Sequence, residues 1–138
     1  MSKTTDALAN VPIFRDLPPK ALARLERITR ERSFEVGDVL MGEGEEGVGA
    51  FVITSGRVDV TRGGGHLASL GPGNFVGEMA LLDHHRRSAT VTAMEPTECL
   101  AILRSDFIAE LRGDADMAVD MLAILSRRLR AADERVTN

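Results

Sequence analysis

Between Glu31 and Leu103 the sequence is cut by glycine turns into runs too short for ordinary helices. The turns are Gly37-Asp38, Gly42 to Gly47, Ser55-Gly56, Gly63 to Gly65 and Gly71-Pro72-Gly73. Between and after them lie Ser33 to Val36, Val39 to Met41, Ala50 to Thr54, Arg57 to Thr61, His66 to Leu70, Ala89 to Ala93 and Glu98 to Leu103. Strands at such spacing predict a β-sandwich or barrel. In Arg57-Val58-Asp59-Val60-Thr61 the valines alternate with polar residues, so one face is buried and the other wet. Gly63 to Gly65 lack the lysine and following helix of a phosphate loop, and read instead as a hairpin tip. Glu43, Glu45 and Glu46 read as a solvated acidic turn.

Residues 71–91 carry the chemistry. After the turn Gly71 to Asn74, Gly77 to Leu82 can form a short helical turn, with Gly77 allowing close backbone approach. The first N–H groups of such a turn lack internal partners and suit an anion. Arg87 precedes the strand-like Ser88-Ala89-Thr90-Val91 and can grip a phosphate through two N–H bonds. Glu78 adds an acceptor suited to a sugar hydroxyl. Together these residues read as a sugar-phosphate site; the alternative is a Glu78–Arg87 ion pair with no ligand.

This stretch resembles the phosphate-binding cassette of cyclic nucleotide-binding domains. The pattern Gly-Glu-x-Ala-Leu, a short loop, then Arg-(Ser/Ala/Thr)-Ala-Thr-Val is carried here by Gly77, Glu78, Ala80, Leu81, Arg87, Ser88, Ala89, Thr90 and Val91. The resemblance implies that Glu78 takes the ribose 2′-hydroxyl and Arg87 the cyclic phosphate. The amides of Gly77, Glu78, Met79 and Ala80, the Ser88 hydroxyl and Ala89 would complete the ligand-binding set. It implies a mainly β fold: a jelly-roll-like barrel of about eight strands, an N-terminal helix, a short cassette helix and two C-terminal helices. Gly44 to Gly47 with Phe51 to Gly56, and Leu67 to Gly73, also resemble the family. Val48-Gly49-Ala50 departs from it and is expected to alter a loop at the pocket edge. In bacterial members a serine after the arginine accompanies cyclic AMP, and cyclic GMP readers more often carry threonine, so Ser88 favours cyclic AMP as the ligand over cyclic GMP.

Outside the strands, residues 1–10 read as a loose arm and 11–30 as an N-terminal helical part with a helix over Pro19 to Thr29. Residues 31–104 form the barrel and 105–136 the C-terminal helices, within one domain of 1–138. Asp106 to Leu111 reads as a short helix, broken at Arg112-Gly113-Asp114, with Asp114 as the next N-cap. From Ala115 to Val136 there is no glycine or proline. Ala118, Leu122, Leu125, Leu129, Ala132 and Val136 form a heptad seam, a possible homodimer contact; Met117, Met121 and Ile124 widen the apolar face for packing on the barrel. The alternative is a wholly intramolecular helix. Arg127-Arg128-Leu129 and Glu134-Arg135-Val136 resemble the dimer helix of the catabolite activator family. There a Thr-Ser pair contacts adenine; the matching positions here are Ala132 and Asp133. Leu129, Arg130 and Asp133 are base-capping candidates by position. A helix-turn-helix domain follows in that family; this sequence stops at Asn138, so direct DNA reading is not expected.

Composition narrows the classes. The net charge of −4 gives no basic footprint for nucleic acid. Apolar runs fall short of the ~20 residues that span a bilayer. The polar N-terminus lacks a signal pattern, so a cytoplasmic location is expected. Cys99, the single cysteine, reads as a small buried hydrophobe. His84 and His85 read as exposed loop residues rather than metal ligands, and no metal is expected. No nucleophile and base stand at recognisable spacing, so an enzyme is not expected. The expectation is a cyclic nucleotide sensor whose C-terminal helix signals to a protein partner. The alternatives are a ligand-independent interaction domain and the sensor fragment of a transcription factor or channel.

Overall fold

The computed structural model describes residues 3–47, 49–83 and 86–137, with the side chains of Met79 and of residues 135–137 outside that description. Helices α1 (Lys3–Leu8) and α2 (Pro19–Ile28) precede strands β1 (Arg30–Phe34), β2 (Val39–Met41), β3 (Gly49–Ser55), β4 (Val58–Arg62), β5 (Gly65–Leu70) and β6 (Phe75–Val76). A short 3-10 turn, Glu78–Leu81, leads to β7 (Thr90–Ala93), β8 (Thr97–Leu103), α3 (Arg104–Gly113) and α4 (Ala115–Thr137). The strands form two four-stranded sheets, ordered β1-β8-β3-β6 and β2-β7-β4-β5, with antiparallel pairing throughout. This is the mainly β, eight-stranded fold with flanking helices that the sequence predicts.

β3 and β8 carry two cores. Successive strand residues point to opposite faces. Ala50, Val52, Leu100 and Ile102 join the helical core, whereas Phe51, Ile53, Cys99 and Ala101 join the core between the sheets. Burial on both faces explains why these strands read as near-continuous apolar runs. It also places Cys99 as a packing residue; burial pushes its thiol up to about 11, against a smaller opposing effect of Arg32. The helical core gathers Leu8, Phe14, Leu25, Phe107, Met117 and Met121, with the Phe14 and Phe107 rings 5.8 Å apart.

Several expectations are corrected. Within the supposed loose arm, Lys3–Leu8 is helical because Leu8 is fully buried and the Thr5 hydroxyl donates to Glu26 Oε2. Gly49 and Ala50 are not loop residues; they open β3, where Gly49 leaves no room for a Cβ against the Ile102 carbonyl. Val48 lies outside the described residues. The helix break falls at Asp114 alone, since α3 runs through Gly113. Asp114 caps α4 as expected, with the Met117 N–H donating to its Oδ1 at 3.2 Å. Arg24 of α2 reaches this junction, 2.9 Å from Glu110 and 3.6 Å from Asp114.

Candidate functional site

The cassette starts where β6 ends. Gly77 has φ +77°, a conformation L side chains rarely adopt, and a Cβ there would collide with Arg87 Nη1. The turn after it is 3-10 rather than α-helical, closed by the Ala80 N–H donating to the Gly77 carbonyl at 3.1 Å. Its last residue, Leu81, is fully buried in the helical core and anchors the turn to the helices.

Arg87 is held at its backbone by the acidic turn. Its N–H donates to the Glu45 carbonyl at 2.7 Å, and its carbonyl accepts from the Gly44 N–H at 2.8 Å. The residue is only 9% exposed and its side chain lies against Gly47 and Gly77, with Nη2 donating to the Gly49 carbonyl. Among the described residues no carboxylate oxygen lies within 4.0 Å of the guanidinium. Burial lowers its pKa, and the Glu45 charge partly offsets that. Arginine stays cationic regardless and offers five N–H donors. The group is therefore a buried cation short of acceptors.

Glu78 does not pair with Arg87, so the ligand-free ion pair between them is not what forms. Its Oε1 lies 3.8 Å from Nη2 of Arg128 on α4, and its Oε2 is buried with no hydrogen-bond partner among the described residues. Burial raises the carboxyl pKa above the ordinary value, while Arg128 and a backbone hydrogen bond from Ile13 pull the other way.

Both residues face a cavity of about 630 Å³, within the usual range for small-molecule sites. Gly77, Glu78, Ala80, Arg87, Ser88 and Ala89 line its polar end; Met41, Val60, Ala68, Leu70, Phe75, Val76 and Val91 line its apolar wall. These six expected residues are brought together there beside Asp83 and Arg86, which the sequence reading did not assign to a ligand. Met79 sits in the same turn. The base-capping candidates Leu129, Arg130 and Asp133 do not line the cavity. His84 and His85 fall outside the described residues. Among the described residues no His, Cys, Asp and Glu cluster could hold a metal ion, and no helix is long and apolar enough to cross a membrane.

Arg128 escaped the sequence reading, although a signal was present. It lies four residues past Ile124, on the helical face that buries Met117, Met121 and Ile124. The apolar wall was also missed, because the alternation in Arg57 to Thr61 read as an ordinary strand with one buried face.

The profile of the cyclic nucleotide-binding domain matches residues 31–114. The chain belongs to the cyclic nucleotide-binding domain family. It is similar to proteins of several kinds. It is 38% identical over 127 residues to the cyclic AMP receptor protein of Thermus thermophilus, covering 88% of this chain and 59% of that one. The solved N-terminal domain of a transcriptional regulator from Streptomyces coelicolor superposes with a TM-score of 0.85 at 32% identity, over 94% of this chain and 96% of that one. The regulatory domain of Toxoplasma gondii PKA, solved with cAMP, gives 0.71 at 27% identity, over 77% of this chain and 42% of that one. The chain thus spans about three-fifths of the Thermus receptor, and 28% of a Rhizobium etli cyclic nucleotide-gated potassium channel.

Proposed function

We propose that this domain is a sensor that binds a cyclic nucleoside monophosphate, cyclic AMP ahead of cyclic GMP, and signals through α4. The observation that carries this reading is Arg87, a buried cation without a carboxylate partner among the described residues, at the polar end of a cavity large enough for a nucleotide. An anionic phosphate supplies the missing acceptors; leaving such a charge unpaired is strongly unfavourable. The ribose 2′-hydroxyl donates to Glu78 Oε2, the atom that has no partner among the described residues. The base lies along the apolar wall.

The link to output is Arg128. A hydroxyl bonded to Oε2 favours ionised Glu78, and ionised Glu78 attracts Arg128 more strongly. Ligand therefore favours the position of α4 in which Arg128 sits over the cassette. That is a population shift driven by differential affinity. Support for cyclic AMP comes from Ser88 and from the relative named a cyclic AMP receptor.

Val119, Leu122 and Leu129 are 62%, 66% and 65% exposed on α4. This favours a homodimer along the seam of Ala118, Leu122, Leu125 and Leu129, or a downstream protein partner on the same stripe. Calorimetric titration with cyclic AMP and then cyclic GMP tests the sensor reading. Saturable binding, tighter for cyclic AMP, is expected; absence of binding to the folded chain leaves the ligand-independent interaction domain.

A further inference from the structure

The hairpin tip between β4 and β5 reaches the cassette. Arg62 Nε donates to the Ser88 carbonyl at 2.9 Å, across 26 positions of sequence. The tip itself is fixed: the Gly63 N–H donates to Glu43 Oε1 at 2.9 Å, and the Glu43 N–H donates to Thr90 Oγ1 at 2.9 Å. Gly63 and Gly64 have φ +56° and +81°, which makes the turn tight enough for Arg62 to start at the strand end. The glycine triplet is thus a device for placing one arginine.

The Ser88 carbonyl and the Ala89 N–H belong to one peptide unit, and in a trans peptide they point in opposite directions. No cis peptide is present among the described residues. Arg62 is exposed and stands outside the cavity lining, whereas Ala89 lines it. Among the described residues the Ala89 N–H has no acceptor, although Ala89 is half-buried.

We propose that Arg62 is a positioning residue: by drawing the Ser88 carbonyl outward it turns the Ala89 N–H into the cavity as a donor to a phosphate oxygen of the ligand. This rests on the cyclic nucleotide reading above. The guanidinium never touches the ligand. It sets the direction of one peptide and leaves Arg87 to supply the charge.

The test uses the full chain labelled with nitrogen-15. On saturation with cyclic AMP the Ala89 amide proton is expected to move downfield, and Arg62→Ala is expected to at least halve that movement. Calorimetry should show about 3- to 10-fold weaker binding, the size of one net hydrogen bond. The preference between the Rp and Sp phosphorothioate analogues should change, because one of the two exocyclic oxygens loses a donor. Where the alanine variant fails to fold, Arg62→Lys gives the same readouts, since it keeps the charge and loses the fixed Nε–H direction. If the parent chain binds no cyclic nucleotide, the function reading itself falls. If it binds and the Ala89 amide stays put, the positioning role falls. The same holds if an Arg62 variant weakens binding with the amide movement and the analogue preference unchanged, or leaves the affinity as it was.

Discussion

Glu78 Oε1 stands 3.8 Å from Arg128 Nη2, so the cassette and the C-terminal helix meet at a carboxylate and a guanidinium. Arg128 is 42% exposed, and such a pair contributes at most about 1 kcal/mol to stability. Its larger effect is on protonation. Arg128 lowers a Glu78 pKa that burial raises. Arg128→Ala therefore lets it rise further. Since nucleotide binding uses ionised Glu78, the pH below which affinity falls should move upward in this variant. Titration calorimetry between about pH 5 and 8 measures this; coincident affinity profiles for the two proteins would contradict the coupling.

Stability should respond to the same carboxyl in the opposite sense. A carboxyl whose folded pKa lies above its unfolded value contributes stability that is full below the unfolded value and lost as pH rises through the folded one. For Glu78 the ordinary value is 4.5 and the folded value is higher. At neutral pH the ionised, partly desolvated group is thus a liability to the free protein. Glu78→Gln should raise the thermal midpoint at pH 7 and lose that advantage below its ordinary pKa, while weakening nucleotide binding. Paired melting curves at the two pH values decide the sign.

Arg87→Ala should weaken nucleotide binding by about 2–5 kcal/mol, as loss of a buried charge partner does. The free protein should be little harmed, because Arg87 has no carboxylate within ion-pair distance among the described residues. Unaltered affinity in calorimetry would remove Arg87 from the site.

Gly77→Ala forces an L residue to φ +77° and drives its Cβ against the Arg87 guanidinium. A strained backbone of this kind costs about 1–3 kcal/mol, and the displaced guanidinium should lose its ligand. Denaturant unfolding and nucleotide titration of one sample test both parts. A stable variant that still binds would mean the Gly77–Arg87 packing is looser than described.

Leu122 and Leu129 stand in solvent on α4. Leu122→Asp with Leu129→Asp should leave folding within about 0.5 kcal/mol, as exposed sites do, while lowering the mass seen by light scattering if the seam joins two copies. Leu125 is a poorer probe because it packs against the helical core. Equal masses before and after the change would remove the stripe from dimerisation.

Turn chemistry and period made most of the strands legible. The glycines and the alternation around Val58 and Val60 locate β4 closely, and Pro19 locates the start of α2. β6 was not legible: Phe75–Val76 is two residues long, and β3 alone shows where it pairs. The N-terminal helix escaped because its burial depends on α2, to which Thr5 is bonded through Glu26. In the site, local residues were legible and remote ones were not. Arg128 is 50 positions from Glu78 and Arg62 is 26 from Ser88; no spacing rule along one element brings such pairs together.

β3 serves both cores by parity. Phe51 and Ile53 face the core whose members Met41, Val60, Val76 and Val91 border the cavity, and Ala50 and Val52 face the helices. Mutational scanning across this strand should give a two-beat signature: one set of alternate positions altering ligand preference, the other altering how firmly the helices hold. A single inserted residue would exchange the two sets at once, which leaves this strand, like β8, little tolerance for length variation among descendants of the sequence.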